Sequence, residues 1–142
     1  MFGRYKDYAI LPLRLVLGLI LLVHGYGKLF DNAPGMEKFI GFVGTVVPAT
    51  IAPLLGWIVA LVEFVGGILI ILGLWTRIAA LFVSIEFVVI LLFFLRSKIG
   101  FGAGTAELEE LILVVALFLL LAGAGSKFNL EKAWFKTDLL SR

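Results

Sequence analysis

Three ionisable residues, Arg14, Glu63 and Glu86, each interrupt a run of apolar residues. An ion near the centre of a bilayer costs about 2.5–3.5 kcal/mol on insertion scales, so each of them calls for a partner or a function. Arg14 lies early in the first run, and Glu63 and Glu86 lie near the middles of the second and third. At roughly 100° per residue, Arg14, Gly18, Leu21, Gly25 and Lys28 fall on one narrow helical stripe with His24 at its margin. That stripe is small and polar, and so is expected to face inward. In the second run Gly56, Ala60, Glu63 and Gly67 share a face with the small-xxx-small spacing that lets a neighbouring backbone approach closely.

Glu63 is thus expected against another helix, with Arg14, Lys28 and Arg77 as the cations in question. Depth favours Arg14, or His24 through water, because Lys28 lies towards the opposite membrane edge. Such a pair either fixes helix register or forms a functional polar pocket. Glu86 has no partner visible in the sequence and is read as a proton site or a contact with another subunit, the second being favoured. His24 is the only histidine, and a single histidine near a helix end is more commonly a satisfied polar residue than a metal ligand, so no metal site is expected.

These residues must be positioned by helices in lipid. Of 142 residues, 62% are hydrophobic and 15% are charged, too apolar for a water-soluble fold of this size. The expected spans are Tyr8 to Phe30, Ile51 to Trp75, Thr76 to Leu95 and Leu108 to Gly123, each near the ~20 residues that cross a bilayer. Only helices satisfy their own backbone there, and none of the runs shows the alternation of barrel strands. The first run is too long for a signal-peptide core and lacks a cleavage site after it, so it should be retained. The expected fold is all-α: one transmembrane domain over residues 1–142, an integral membrane four-helix bundle with short amphipathic interfacial helices.

Gly73 can close the second span and Thr76 can cap the third, which makes a tight hairpin. Between the first two spans, a turn-like Asp31-Asn-Ala-Pro-Gly precedes Met36, Phe39, Ile40, Val43 and Val47 at helical spacing, an interfacial helix ended by Pro48. A second such element follows the last span, with Ser126 and Asn129 as capping residues and Phe128, Leu130, Trp134 and Phe135 among lysines. Arg4, Lys6, Arg77, Lys127, Lys132, Lys136 and Arg142 fall on one side and Lys28, Lys38, Arg96 and Lys98 on the other. The positive-inside rule then places both termini in the cytoplasm of a cell with this protein in its cytoplasmic membrane.

Several chemistries are excluded. With no cysteine there is no disulfide, thiolate site or thiol relay, and no haem, flavin or iron–sulfur cluster is expected on this chain alone. A net charge of +2 without a basic stripe argues against nucleic acid. Gly100 to Thr105 superficially resembles a phosphate loop but follows no strand, so its glycines are read as a turn. Glu107, Glu109 and Glu110 open the last span, where acidic residues favour the helix dipole, and Glu110 can face inward.

Leu13-Arg14-Leu15 through Gly18 to Gly25-Tyr26-Gly27-Lys28-Leu29-Phe30, Glu63-Phe-Val-Gly66-Gly67 through Leu72-Gly73 to Thr76-Arg77-Ile78, and Glu110 onward to Ala122-Gly123-Ala124-Gly125-Ser126 together resemble the DoxX family. The resemblance covers most of the chain; it departs at Ala124, where proline is common, and in a short third loop. It implies a four-span protein associated with membrane redox complexes, as in the related DoxD subunit of thiosulfate:quinone oxidoreductase. It further implies that Arg14, His24, Lys28, Glu63 and Arg77 contact a quinone head, with Trp57 or Tyr26 offering aromatic surface. No catalytic residue is assigned, and a non-catalytic or quinone-binding subunit is expected sooner than a complete enzyme. Other subunits of a redox complex, or further copies of the chain, are the expected partners besides lipid. The alternatives are a purely structural subunit of a terminal oxidase assembly and a small-solute or proton transporter.

Overall fold

The computed structural model describes residues 6–30, 35–100, 102, 104–126 and 128–135. The turn expected at Asp31 to Pro34, the cations Arg4, Lys127, Lys136 and Arg142, and the side chains of Lys6 and Phe135 lie outside what is described.

The described residues form helices and no strands: α1 (Lys6–Leu29), α2 (Gly35–Val43), α3 (Ala52–Leu72), α4 (Thr76–Val89, continued by a π-helical turn Ile90–Phe94), α5 (Glu107–Ala122) and α6 (Leu130–Phe135). Helices α1, α3, α4 and α5 form an antiparallel four-helix bundle, in which α1 packs most extensively on α3 and α4 on α5, and α2 lies across α3. Three helical stretches, Tyr8–Leu29, Ala52–Leu72 and Thr76–Phe94, are long and apolar enough to cross a membrane. Helix α5, expected as a fourth span, has 16 residues, or about 24 Å at 1.5 Å per residue, short of a ~30 Å hydrocarbon core.

The distribution of polarity is the reverse of that in a soluble bundle. Arg14, Glu63, Thr76, Ser84 and Glu86 are buried, while Leu19, Val23, Leu54, Phe93, Val114 and Leu121 are more than half exposed. Apolar side chains directed outward fit a solvent of lipid tails, which leaves close packing and internal polar contacts to hold the helices together. The α1–α3 crossing shows this packing. A Cβ on Gly25 would stand 2.5 Å from the Phe64 backbone nitrogen, and one on Gly67 would stand 2.7 Å from the Gly18 carbonyl oxygen. Glycine is therefore required for the backbones to approach this closely.

The turns depart in detail from the sequence reading. Gly73, at φ +67°, closes α3 as expected. Thr76 does not cap α4: it is buried and its hydroxyl has no hydrogen-bond partner. Trp75 occupies the cap position at φ +48°, and its N–H donates to Glu131 Oε2 of α6 at 3.1 Å. Helix α2 ends at Val43, before Pro48, because residues 44–46 turn back with N–H bonds to Ile40, Phe42 and Val43. Asn129 caps α6 as expected, accepting from the Lys132 N–H at 3.0 Å. Glu107, Glu109 and Glu110 stand in the first turn of α5 as expected, and two of them also hold the glycine loop: Glu110 accepts from the Gly100 N–H (2.7 Å) and Glu107 from the Gly102 N–H (2.5 Å).

Candidate functional site

The Gly18–Gly67 and Gly25–Phe64 contacts fix the register of α1 against α3. In an antiparallel pair with that register, Glu63 lies within reach of the long Lys28 side chain. Lys28 Nζ accordingly donates to Glu63 Oε2 at 2.5 Å, and Glu63 is 3% exposed. The same ammonium lies 4.0 Å from the centre of the Phe39 ring of α2, which adds a cation–π contact.

Arg14 is not the partner of Glu63. It lies about 21 Å from Lys28 along α1 at 1.5 Å per residue, at the other end of the bundle. There its fully buried guanidinium donates to the carbonyls of Ile70 (3.0 Å), Ile71 (2.9 Å), Ala124 (2.7 Å) and Phe128 (2.8 Å). The first two oxygens belong to the last turn of α3, where carbonyls have no i+4 N–H within the helix, and the other two to the segment after α5. The forked geometry of arginine suits this joining of three chain segments. Arg77 is also apart from Glu63, donating to the Leu121 carbonyl at 3.2 Å.

Glu86 turns into the bundle. It is 9% exposed, lies within the electrostatic field of Glu63 and Lys28, and neither of its buried carboxyl oxygens makes a well-formed hydrogen bond among the described residues. Unsatisfied buried carboxyl oxygens are rare and need an explanation. Glu63 and Glu86, on different helices, thus face one ammonium.

Two cavities adjoin this group. One, of about 310 Å³, is lined by His24, Lys28, Glu63 and Glu109 together with apolar residues that include Phe87. The other, of about 420 Å³, is a nearly wholly apolar slot between α2, α3 and α4, with Glu86 the one charged residue in its wall. Phe39, Phe42 and Ile90 line both. His24 is exposed at the rim of the polar cavity, while Tyr26 and Trp57 are about half exposed and so offer no enclosed aromatic wall. Among the described residues, no group of three histidine, cysteine or acidic side chains comes together in a way that could hold a metal ion.

Of the expected pocket residues Arg14, His24, Lys28, Glu63 and Arg77, the fold brings together His24, Lys28 and Glu63, and it adds Phe39, Phe87, Glu109 and the inward-turned Glu86, which the sequence pattern does not place there. Phe39 was visible only as part of the apolar stripe of α2, with nothing to show that α2 folds over Lys28. Residues 9–96 match the DoxX family. The chain belongs to that family. It is 32% identical over 114 residues to a protein of Bacillus subtilis named "Putative oxidoreductase CatD", covering 80% of this chain and 78% of that one. It is 32% identical over 139 residues to an uncharacterized protein of Haemophilus influenzae, covering 94% and 96%. To the inner membrane protein YqjF of Escherichia coli it is 30% identical over 122 residues, covering 86% and 88%. No solved structure matches the chain. The matched region contains Arg14, His24, Lys28, Glu63, Arg77 and Glu86, so the inner polar group lies within the part that defines the family.

Proposed function

We propose that this DoxX protein is a membrane subunit of an oxidoreductase complex and receives the head of a quinone or quinol at the Lys28–Glu63 pair. The observation that carries the reading is the cavity that opens onto that pair. A salt bridge whose only role is to fix helix register gains nothing from an adjoining cavity, and the Arg14 knot already joins the helices at the other end. The residues suit such a head: the Lys28 ammonium can donate to a carbonyl oxygen, the Glu63 carboxylate can accept from a hydroxyl, and Phe39 and Phe87 supply ring surface. Glu86 adds a buried carboxyl within the field of that pair. The oxidoreductase name of the Bacillus subtilis relative agrees with this assignment. Redox centres belong to other subunits, since this chain has no cysteine and one histidine.

The site lies in the outer half of the cytoplasmic membrane, both termini are cytoplasmic, and α5 completes a fourth crossing by local thinning of the bilayer around its short length. The test is equilibrium binding of a chainless benzoquinone to the purified protein in nanodiscs. Glu63→Gln and Lys28→Met should each weaken binding by about tenfold or more, the loss of one charge-assisted hydrogen bond. Unchanged binding in both variants overturns the proposal and leaves a structural subunit of an oxidase assembly as the reading to pursue.

A further inference from the structure

The polar cavity at Lys28–Glu63 and the apolar slot beside Glu86 meet at Phe39, Phe42 and Ile90, which line both. They differ sharply in chemistry: one contains His24, Lys28, Glu63 and Glu109, whereas the other is walled by aliphatic and aromatic side chains such as Val46, Val59, Val89 and Phe93. Their volumes, about 310 and 420 Å³, each fall within the ~300–1,000 Å³ typical of small-molecule sites. A ligand confined to the polar side would have no use for the adjoining slot.

We propose that the two cavities form one bipartite site for a lipid-dissolved amphiphile, a polar ring seated at Lys28–Glu63 and a long hydrocarbon chain laid in the slot between α2, α3 and α4. The head is the one assigned above, and the inference rests on that reading for the head alone. What it adds is the ligand's class, long-chained and drawn from the bilayer, and a role for α2, whose Phe39 and Phe42 stand where head and chain join. A chain gains little by leaving lipid, whose tails are as apolar as leucine. Affinity is therefore a poor reporter of the chain, and its location is the informative measurement.

The experiment uses the full chain in nanodiscs and a benzoquinone with a decyl chain that ends in a photoreactive diazirine. Labelled peptides are then mapped by mass spectrometry. Label is expected on slot residues of α2 and α4, reduced at least about tenfold by excess chainless benzoquinone, which holds the head site. Val59→Phe and, independently, Val89→Phe should drive label out of the slot while leaving binding of the chainless quinone unchanged. Label spread over outward residues such as Leu19, Val114 and Leu121 overturns the chain site. So does equal slot labelling by a diazirine phospholipid, which would mean that ordinary acyl chains fill it. In both of those cases, Glu63-dependent binding of the chainless quinone would leave the head assignment standing. Slot label that survives both Glu63→Gln and competition overturns the head assignment and with it the bipartite site.

Discussion

Arg14 should hold together the end of the bundle where α3 meets the segment after α5, and replacing it with methionine is the sharpest test of that role. Methionine keeps an unbranched apolar stem but removes the donors that now reach the Ile70, Ile71, Ala124 and Phe128 carbonyls. Hydrogen bonds inside membrane proteins average about 0.6 kcal/mol, and bonds to a charged donor reach ~1.5 kcal/mol or more. Loss of all of them should cost roughly 2–6 kcal/mol. The cost should fall towards the lower end because Ile70 keeps a bond from the Gly73 N–H and relief of the buried charge offsets part of the rest. The assay is reversible unfolding in mixed micelles, with limited proteolysis after Ala122 as a local readout. Arg14→Met should expose the segment after α5 to protease before the bundle unfolds. Arg14→Lys should restore only part of the stability, because a single ammonium cannot reproduce the fork that spans carbonyls of different segments. A cost below about 1 kcal/mol for Arg14→Met, or full recovery with lysine, would refute the argument.

Other outcomes follow from the same geometry. Gly67→Ala places a Cβ 2.7 Å from the Gly18 carbonyl and 2.8 Å from the Leu22 nitrogen, so it should cost about 1–3 kcal/mol in the unfolding assay by forcing the helices apart. Gly41→Ala meets nothing within 4 Å in the interior of α2, and should stabilise by up to ~1 kcal/mol. Lys28→Met leaves Glu63 buried without its cation and should destabilise by about 3–5 kcal/mol, whereas the double variant Lys28→Met with Glu63→Leu should recover most of that; the thermodynamic cycle of single and double variants measures the coupling. Glu131→Ala removes the acceptor of the Trp75 N–H, and hydrogen exchange at that amide should rise by about tenfold, near 1.4 kcal/mol of protection.

Three of the expected spans and the charged residues within them could be read from the sequence because both signals are local. Apolar runs of membrane length define helices, and an ion in such a run has to face inward. The inner stripe of α1 was legible for the same reason: Arg14 and Leu21 are fully buried, as their spacing required. The identity of Glu63's cation was not legible, since it depends on the register of α1 against α3. That register is set by the places where Gly18, Gly25 and Gly67 allow the backbones to touch. With about 21 Å of helix between Arg14 and Lys28, only one of them can reach Glu63, and only the crossing decides which.

Glu86 differs in the same way. Its helical position was certain, but whether it met lipid, another chain or the bundle interior depended on how α4 turned against α3. The composition and periodicity of this sequence by themselves determined a membrane bundle with charges inside it, because lipid penalises every alternative. The tertiary structure decided the rest. It sorted those charges into a sealed arginine knot at one end and a lysine–glutamate group beside cavities at the other, since contacts between helices depend on register and rotation that no single helix encodes.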